Sequence, residues 1–228
     1  MDKLLKQLVF LLLISVFTSE EGFARVNQDE NAAYTKVITA RADKIVAELG
    51  ISDSVKYKKV RAIMVNQYRQ LNTFHEEKTA ALKSLKEKHQ ENKAVLEPAL
   101  KAMEADEERK LGIIHKEYIS RLSAELDAAQ ITKVKDAMTY NVLPITYKAY
   151  QEMLPRLTVV QKEKILGFLT EAREHAMDAS SSHAKHAWFG KYKGKINNYL
   201  SAEGIDMKQA GIEWQQRIKA EKAAGSKE

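Results

Sequence analysis

The stretch from Ala179 to Ala202 holds the side chains best suited to binding chemistry. It contains four lysines and no acidic residue, so it should carry a local positive potential that attracts anions. It also contains four aromatic residues, two histidines and the pair Asn197–Asn198. Aromatic faces and amide groups beside lysines suit a flat polar ligand with negative charge, such as an acidic sugar. We therefore interpret this window as a candidate ligand-binding segment.

Within and near the window, each residue type has an expected role in binding. Lysines and an arginine would neutralise charge, asparagines would recognise hydroxyl groups, and Trp188 or Tyr192 would stack on a ring. The candidate ligand-binding residues are Arg173, His175, Trp188, Lys191, Tyr192, Lys193, Lys195, Asn197 and Asn198. The aromatic residues also recur at helical spacing, so the alternative is that several pack into a core beneath an incidental basic surface. The lysines at 191, 193 and 195 alternate, which a single helix face cannot hold together.

Catalysis and metal binding are weaker interpretations. General acid–base residue types occur at Asp136, Tyr140, Arg173, Glu174, His175 and Asp178. The sequence fixes no distance between them, and ion pairs in a helical bundle explain them equally, so an enzyme is less favoured and no catalytic residue is assigned. Metal-ligand types with helical spacing occur at Glu171, His175, Asp178, His183 and His186. Their specificity is low, and we predict no metal and no other cofactor.

The N-terminus has the layout of a secretory signal. Lys3 and Lys6 precede an apolar run over 8–17, and Gly22-Phe23-Ala24 places small residues at the cleavage positions. The run is shorter than the roughly 20 residues needed to span a bilayer as a helix. We predict a signal peptide over 1–24, a periplasmic or secreted protein, and no membrane span after cleavage. The acids at 20 and 21 leave a retained anchor as the alternative.

Composition narrows the fold and the partners. The chain has 228 residues, a net charge of +6, no cysteine and three prolines. An exported basic protein is expected to meet acidic glycans or envelope components rather than nucleic acid. Abundant Ala, Lys, Glu and Leu with little Pro and Gly predict an all-α fold. We expect a single helical domain over 25–222 and a disordered tail over 223–228.

Periodicity predicts the arrangement of the helices. A first helix is expected over 29–49 and a second from the cap at Ser52 or Asp53, with a break at Pro98 and a third helix restarting there. Two long sequential helices predict an antiparallel helical hairpin whose charged arm covers about 76–110. The fold class is therefore a helical bundle with a long charged antiparallel helical hairpin.

Two later helix starts share one pattern. Asp127 and Thr158 are each followed three residues later by Gln, at 130 and 161, which is the spacing of a capping box. The second of these starts, Leu157-Thr158-Val-Val-Gln161, resembles the repeated motif of periplasmic Spy- and CpxP-like proteins. That resemblance implies an alternative function as an envelope chaperone or assembly factor, with envelope proteins as partners.

A longer resemblance covers most of the chain after the signal segment. It rests on Val134-Lys-Asp-Ala-Met-Thr-Tyr140, Glu171-Ala-Arg-Glu-His-Ala-Met-Asp178 and Phe189-Gly-Lys-Tyr-Lys-Gly-Lys-Ile-Asn-Asn-Tyr-Leu200. These pieces resemble an exported, Bacteroides-type family catalogued as domain of unknown function 3826. The resemblance implies non-enzymatic binding of a carbohydrate in polysaccharide utilisation, with an acidic glycan as the expected ligand. An enzyme acting on uronate-containing glycans is the remaining alternative.

Overall fold

The structure is a computed structural model that describes residues 31–225, with side chains described over 31–222. All regular structure in this part of the chain is helical, which confirms the predicted all-α class. The eight helices are α1 (31–47), α2 (Ser54–Lys88), α3 (Lys93–Ser123), α4 (Ala128–Met138), α5 (Val142–Met153), α6 (Val159–Met177), α7 (Ser182–Ala202) and α8 (Met207–Gly225).

The two predicted capping boxes are present. The Asp127 carboxylate accepts from the Gln130 amide at 2.8 Å, and the Gln130 side chain accepts from the Asp127 amide at 3.3 Å. Thr158 and Gln161 exchange the same two bonds at 3.2 and 3.0 Å, at the start of α6. Each box satisfies amide groups that the first turn of a helix leaves without an internal partner.

The predicted break at Pro98 is wrong. Helix α2 ends at Lys88, and α3 already begins at Lys93, where the Asn92 side chain accepts from the Val95 amide. Pro98 lies inside α3, within its second turn. As the sixth residue of α3, Pro98 removes the one main-chain hydrogen bond that would go to Ala94 O, and α3 continues through it.

Helices α2 and α3 form the predicted antiparallel hairpin. Near its base, Val60 and Met64 of α2 and Tyr118 and Leu122 of α3 are buried in one core cluster. Farther out, no residue between positions 76 and 106 is buried. Lys78 pairs across the hairpin with Glu107. The arm therefore projects beyond the apolar core, and charged residues cover it.

The buried apolar residues fall into two clusters. The first joins α1, α2, α3 and α4 and includes Met177 from the end of α6. The second joins α5, α6 and α7 and is flanked by Ile205 and Met207 at the start of α8. Helix α4 packs on α6, so the two clusters meet where α4 and α6 end.

Two predicted segments fall at the edges of the described region. The predicted signal peptide over 1–24 lies outside the described residues. Helix α8 extends to Gly225, three residues into the segment predicted as a tail, and 226–228 lie outside the described residues. Within 31–225, none of the helices has the length and apolar character to cross a bilayer.

Candidate functional site

Five of the sequence-predicted residues form a surface that we call the α7 ridge: His175, Trp188, Lys191, Tyr192 and Lys195. The rings of His175 and Trp188 stack with centroids 4.3 Å apart. Lys191 Nζ lies 4.9 Å from the Trp188 centroid, and Lys195 Nζ lies 4.2 Å from the Tyr192 centroid. Tyr192 is buried and Trp188 is half-buried. The rings of the α7 ridge are thus already contacted by the protein's own imidazole and ammonium groups.

The other predicted residues are divided between different surroundings. Residues along α7 turn by about 100° each, so Lys193 and Asn197 lie on the side opposite Trp188. There Asn197 accepts a hydrogen bond of 2.7 Å from the Tyr150 hydroxyl. Asn198 is exposed and lies toward the side of Lys191. The structure therefore does not bring the nine predicted residues into one site, and their joint role in binding stays a prediction.

Arg173 is held in an internal charge network. Only 8% of the residue is exposed, and its guanidinium donates to Asp136 at 2.8 Å and to Glu174 at 3.3 Å. Lys135 Nζ donates to the same Glu174 at 2.7 Å. Burial raises the pKa of Glu174, but hydrogen bonds from His115 and Lys135 outweigh it and lower that pKa to about 2.

His115 links this network to Asp178 at the end of α6. Its Nδ1 lies 2.7 Å from Asp178 Oδ2, and its Nε2 lies 3.4 Å from Glu174 Oε2. Hydrogen bonds to these two carboxylates raise the pKa of His115 to about 9. Both ring nitrogens face acceptors, which suits the imidazolium form. The network then contains three cations, His115, Lys135 and Arg173, and three carboxylates, on residues 136, 174 and 178.

A different group of residues encloses a cavity of about 620 Å³, which we call the Tyr140 cleft. It lies between α1, α2, the α4–α5 turn and the start of α7, close to the junction of the two core clusters. Its polar lining residues are Tyr34, Arg41, Lys44, Glu48, Tyr68, Asn72, His75, Tyr140, Asn141, Ser180, Ser181, Ser182 and Lys185. The volume falls in the range of about 300–1,000 Å³ that is typical of small-molecule sites.

The Tyr140 cleft carries an excess of positive charge. Three cations line it, Arg41, Lys44 and Lys185, against the single carboxylate of Glu48. Ser181 caps α7 at the cleft by accepting from the Ala184 amide at 3.1 Å, so the positive end of that helix dipole adds to the field. Unlike the balanced network around Arg173, this lining leaves positive charge for a ligand to neutralise.

Tyr140 and Asn141 adopt an unusual backbone at the cleft wall. Their φ angles are 58° and 55°, in the left-handed region that costs a non-glycine residue free energy. The Asn141 amide donates to Asp136 O at 2.8 Å, so Tyr140 occupies the position after the α4 cap that glycine usually fills. The Tyr140 side chain is half exposed and stacks on His186, with centroids 5.5 Å apart. Strain of this kind is concentrated at functional sites.

Lys185 is a half-buried ammonium group at the base of the cleft. Its Nζ donates to the main-chain oxygens of Met138 at 3.0 Å and Met177 at 3.4 Å. These are the last residues of α4 and α6. Burial lowers the pKa of Lys185 to about 8, with Asp178 acting to raise it and Arg41 to lower it.

Asp178, at the end of α6, makes hydrogen bonds that hold the turn beside the cleft. Its main-chain oxygen accepts from His75 Nε2 at 2.7 Å, which places the proton of His75 on that nitrogen. Its carboxylate Oδ1 is buried and has no hydrogen-bond partner among the described protein atoms. Thus Asp178 fixes the α6–α7 turn through His75 and His115 and places a carboxylate close enough to Lys185 to act on its charge.

The structure separates the acid–base candidates identified in the sequence. Four of them, Asp136, Arg173, Glu174 and Asp178, belong to the charge network, and Tyr140 lines the cleft. Over 31–225, no three side chains of metal-ligand type are grouped so that they could hold an ion.

Sequence reasoning missed most residues of the Tyr140 cleft. Arg41, Lys44 and His75 come from helices distant in sequence from the α7 window, and only tertiary packing brings them together. Lys185 stands inside the window but is not among the lysines that the sequence predicts to bind a ligand. Its proximity to the serine cap of α7 was the one local signal that could have distinguished it.

Comparison with known proteins identifies a family. A family model described as "Protein of unknown function (DUF3826)" matches residues 35–220. This span includes all of the cleft-lining residues except Tyr34. No curated protein matches the chain.

Proposed function

The chain belongs to the family of proteins of unknown function DUF3826, and we propose that it binds an acidic saccharide in the Tyr140 cleft. The observation that carries this proposal is the pair Tyr140–Asn141. Both residues have left-handed backbone angles, which would cost less conformational free energy for glycine. Both also line the cleft. The tyrosine at this position supplies a half-exposed aromatic ring on which a sugar can stack.

The remaining lining matches the other groups of an acidic sugar. Arg41 and Lys44 provide partners for a carboxylate, since charge-assisted hydrogen bonds are the stronger ones. The hydroxyls of Ser180 and Ser182 provide partners for sugar hydroxyls. The volume of about 620 Å³ leaves room for more than one sugar ring.

The Tyr140 cleft is favoured over the α7 ridge for two reasons. It is concave, whereas the ridge residues lie along one outer side of α6 and α7. The Trp188 ring of the ridge is contacted by both His175 and Lys191, whereas the Tyr140 ring stacks on His186 and still remains 50% exposed. We also propose that binding takes place in the periplasm or outside the cell, because the N-terminal sequence has the layout of a secretory signal.

The test is calorimetric titration of the protein with short uronate oligosaccharides, and with neutral oligosaccharides of the same length. Binding of the acidic series, weakened by salt, is expected. The double variant Arg41→Gln/Lys44→Gln should lose about 100-fold or more in affinity, since each of the two charge-assisted bonds contributes about 1.5–3 kcal/mol. Both residues are exposed, so the variant should remain folded.

The matched control is Lys191→Gln/Lys195→Gln, which removes the same charge from the α7 ridge. If this control abolished binding while the cleft variant bound normally, the ligand would lie on the ridge and the proposed site would be wrong. Absence of binding to every acidic saccharide, together with suppression of the aggregation of several unfolded proteins, would favour the chaperone alternative.

A further inference from the structure

The amine of Lys185 is held in a fixed orientation. A lysine ammonium has three N–H donors. Two of them are directed to Met138 O and Met177 O, at the ends of α4 and α6. No third acceptor lies within hydrogen-bond distance of Nζ among the described protein atoms, and Lys185 lines the Tyr140 cleft. The third N–H is therefore available to a ligand there.

Loss of one proton would not disturb this arrangement. A neutral amine keeps two N–H groups, which is the number that the two carbonyls require. The lone pair then takes the direction of the proton that has left. Because the two carbonyls fix two of the substituent directions, they also fix the direction of the lone pair relative to the cleft.

We propose that Lys185 is a catalytic base that removes the proton from the carbon next to the carboxylate of a bound uronate and so drives β-elimination. This inference rests on the proposed function, because it requires that the cleft hold an acidic saccharide. It adds an activity and assigns it to one atom, Lys185 Nζ.

The elimination balances without a further reactant. The bond between C5 and its hydrogen breaks as the proton moves to Nζ, and the electron pair forms a C4=C5 double bond. The C4–O bond breaks, and the leaving oxygen takes the proton back from Nζ, which regenerates the neutral amine. A single amine can both remove the C5 proton and protonate the leaving oxygen where the C5 hydrogen and the C4 oxygen share one ring face. They do so in β-1,4-linked glucuronate. The products are an unsaturated uronate and a new reducing end.

Neighbouring groups favour this chemistry. The pKa of Lys185, lowered by burial to about 8, leaves a useful fraction of neutral amine near neutral pH. The titratable groups that line the cleft with it are Tyr34, Arg41, Lys44 and Glu48 of α1, Tyr68 and His75 of α2, and Tyr140 in the α4–α5 turn. Asp178 at the end of α6 also acts on it. Arg41, an exposed cation, can pair with the substrate carboxylate, and neutralising that charge makes the adjacent C–H more acidic.

The test uses a β-1,4-linked glucuronate oligosaccharide, with formation of the conjugated double bond followed by ultraviolet absorbance. In the variant Lys185→Arg the positive charge and the donors for both carbonyls are retained, but a guanidinium is not a base at these pH values. We expect product formation to fall by about 100-fold or more, the size of a general-base contribution, while affinity for the substrate changes little. Lys148→Arg, at an exposed lysine of α5 outside the cleft, should leave both quantities unchanged.

A second measurement does not depend on any variant. The rate for the unaltered protein should rise with pH and level off above about pH 8, as the amine of Lys185 becomes neutral. Binding without any product would overturn the catalytic inference and leave the proposed binding function intact. Undiminished turnover by a folded Lys185→Arg protein would also overturn it, whereas absence of binding would remove both proposals.

Discussion

His115 of α3 and Asp178 at the end of α6 are joined by a hydrogen bond of 2.7 Å between Nδ1 and Oδ2. The main-chain oxygen of Asp178 accepts a second bond of 2.7 Å, from His75 of α2. Both helices of the hairpin therefore hold the same residue. Because Asp178 is followed by the turn into α7, the hairpin sets the position of one wall of the Tyr140 cleft.

Replacing His115 should destabilise the fold. His115→Ala leaves the buried Asp178 carboxylate without its cationic partner, and breaking a buried ion pair from one side costs about 3 kcal/mol. Urea unfolding followed by circular dichroism measures the change. The control is Lys148→Ala in an exposed pair with Glu152, where less than about 0.5 kcal/mol is expected. Equal effects of the two variants would contradict the role assigned to His115.

The contribution of His115 should disappear at alkaline pH. Its pKa in the folded protein is about 9, above the ordinary value of 6.5, so folding favours the protonated form. The stabilisation is fully present below pH 6.5 and is lost as the pH rises through 9. The difference in unfolding free energy between the unaltered protein and His115→Ala should therefore shrink over this interval. A difference that stayed constant from pH 6 to about pH 10 would show that the imidazolium is not what stabilises.

The contribution of Glu174 to stability should be lost at acidic pH. Despite burial, hydrogen bonds from His115 and Lys135 lower its pKa to about 2, below the ordinary 4.5. Its stabilisation is present above pH 4.5 and is lost as the pH falls through 2. Glu174→Gln should accordingly be less stable than the unaltered protein at neutral pH and converge with it in acid. Thermal unfolding at a series of acidic pH values measures this, and parallel curves would contradict it.

Tyr140→Gly should separate stability from binding. Glycine relieves the left-handed backbone at φ 58°, so stability should be unchanged or rise by up to about 1 kcal/mol after loss of the His186 contact. Affinity for the acidic saccharide should nevertheless fall, because the exposed ring is gone. Asn141→Gly is the matched control, since it relaxes the adjacent backbone and leaves the ring in place. Calorimetry and thermal unfolding of the two variants decide the point, and normal binding by Tyr140→Gly would count against the stacking role.

Features set by neighbouring residues could be predicted from the sequence. The capping boxes at Asp127 and Thr158 depend on contacts three residues apart, and both are present. The cation–aromatic pairs of the α7 ridge, Lys191 with Trp188 and Lys195 with Tyr192, likewise follow from helical spacing. Pro98 shows the limit of a local rule, because the helix that Asn92 caps begins before the proline and continues through it.

The Tyr140 cleft could not be predicted in this way. Its lining combines α1, α2, two turns and α7, and the sequence does not specify how these elements pack. Arg173 is the opposite case, a residue that the sequence predicts to bind a ligand and that the fold uses internally. Its charge suggested a ligand contact, but Asp136, 37 positions away in sequence, takes up that charge inside the protein.

Lys185 also couples the two core clusters of the protein. Its ammonium joins the last carbonyl of α4, in the first core cluster, to the last carbonyl of α6, most of whose buried residues belong to the second. Fraying of the end of either helix breaks a hydrogen bond to the same atom, Lys185 Nζ. We therefore expect a ligand that bonds to the third N–H to slow amide hydrogen exchange at the ends of both helices together, on each side of the junction.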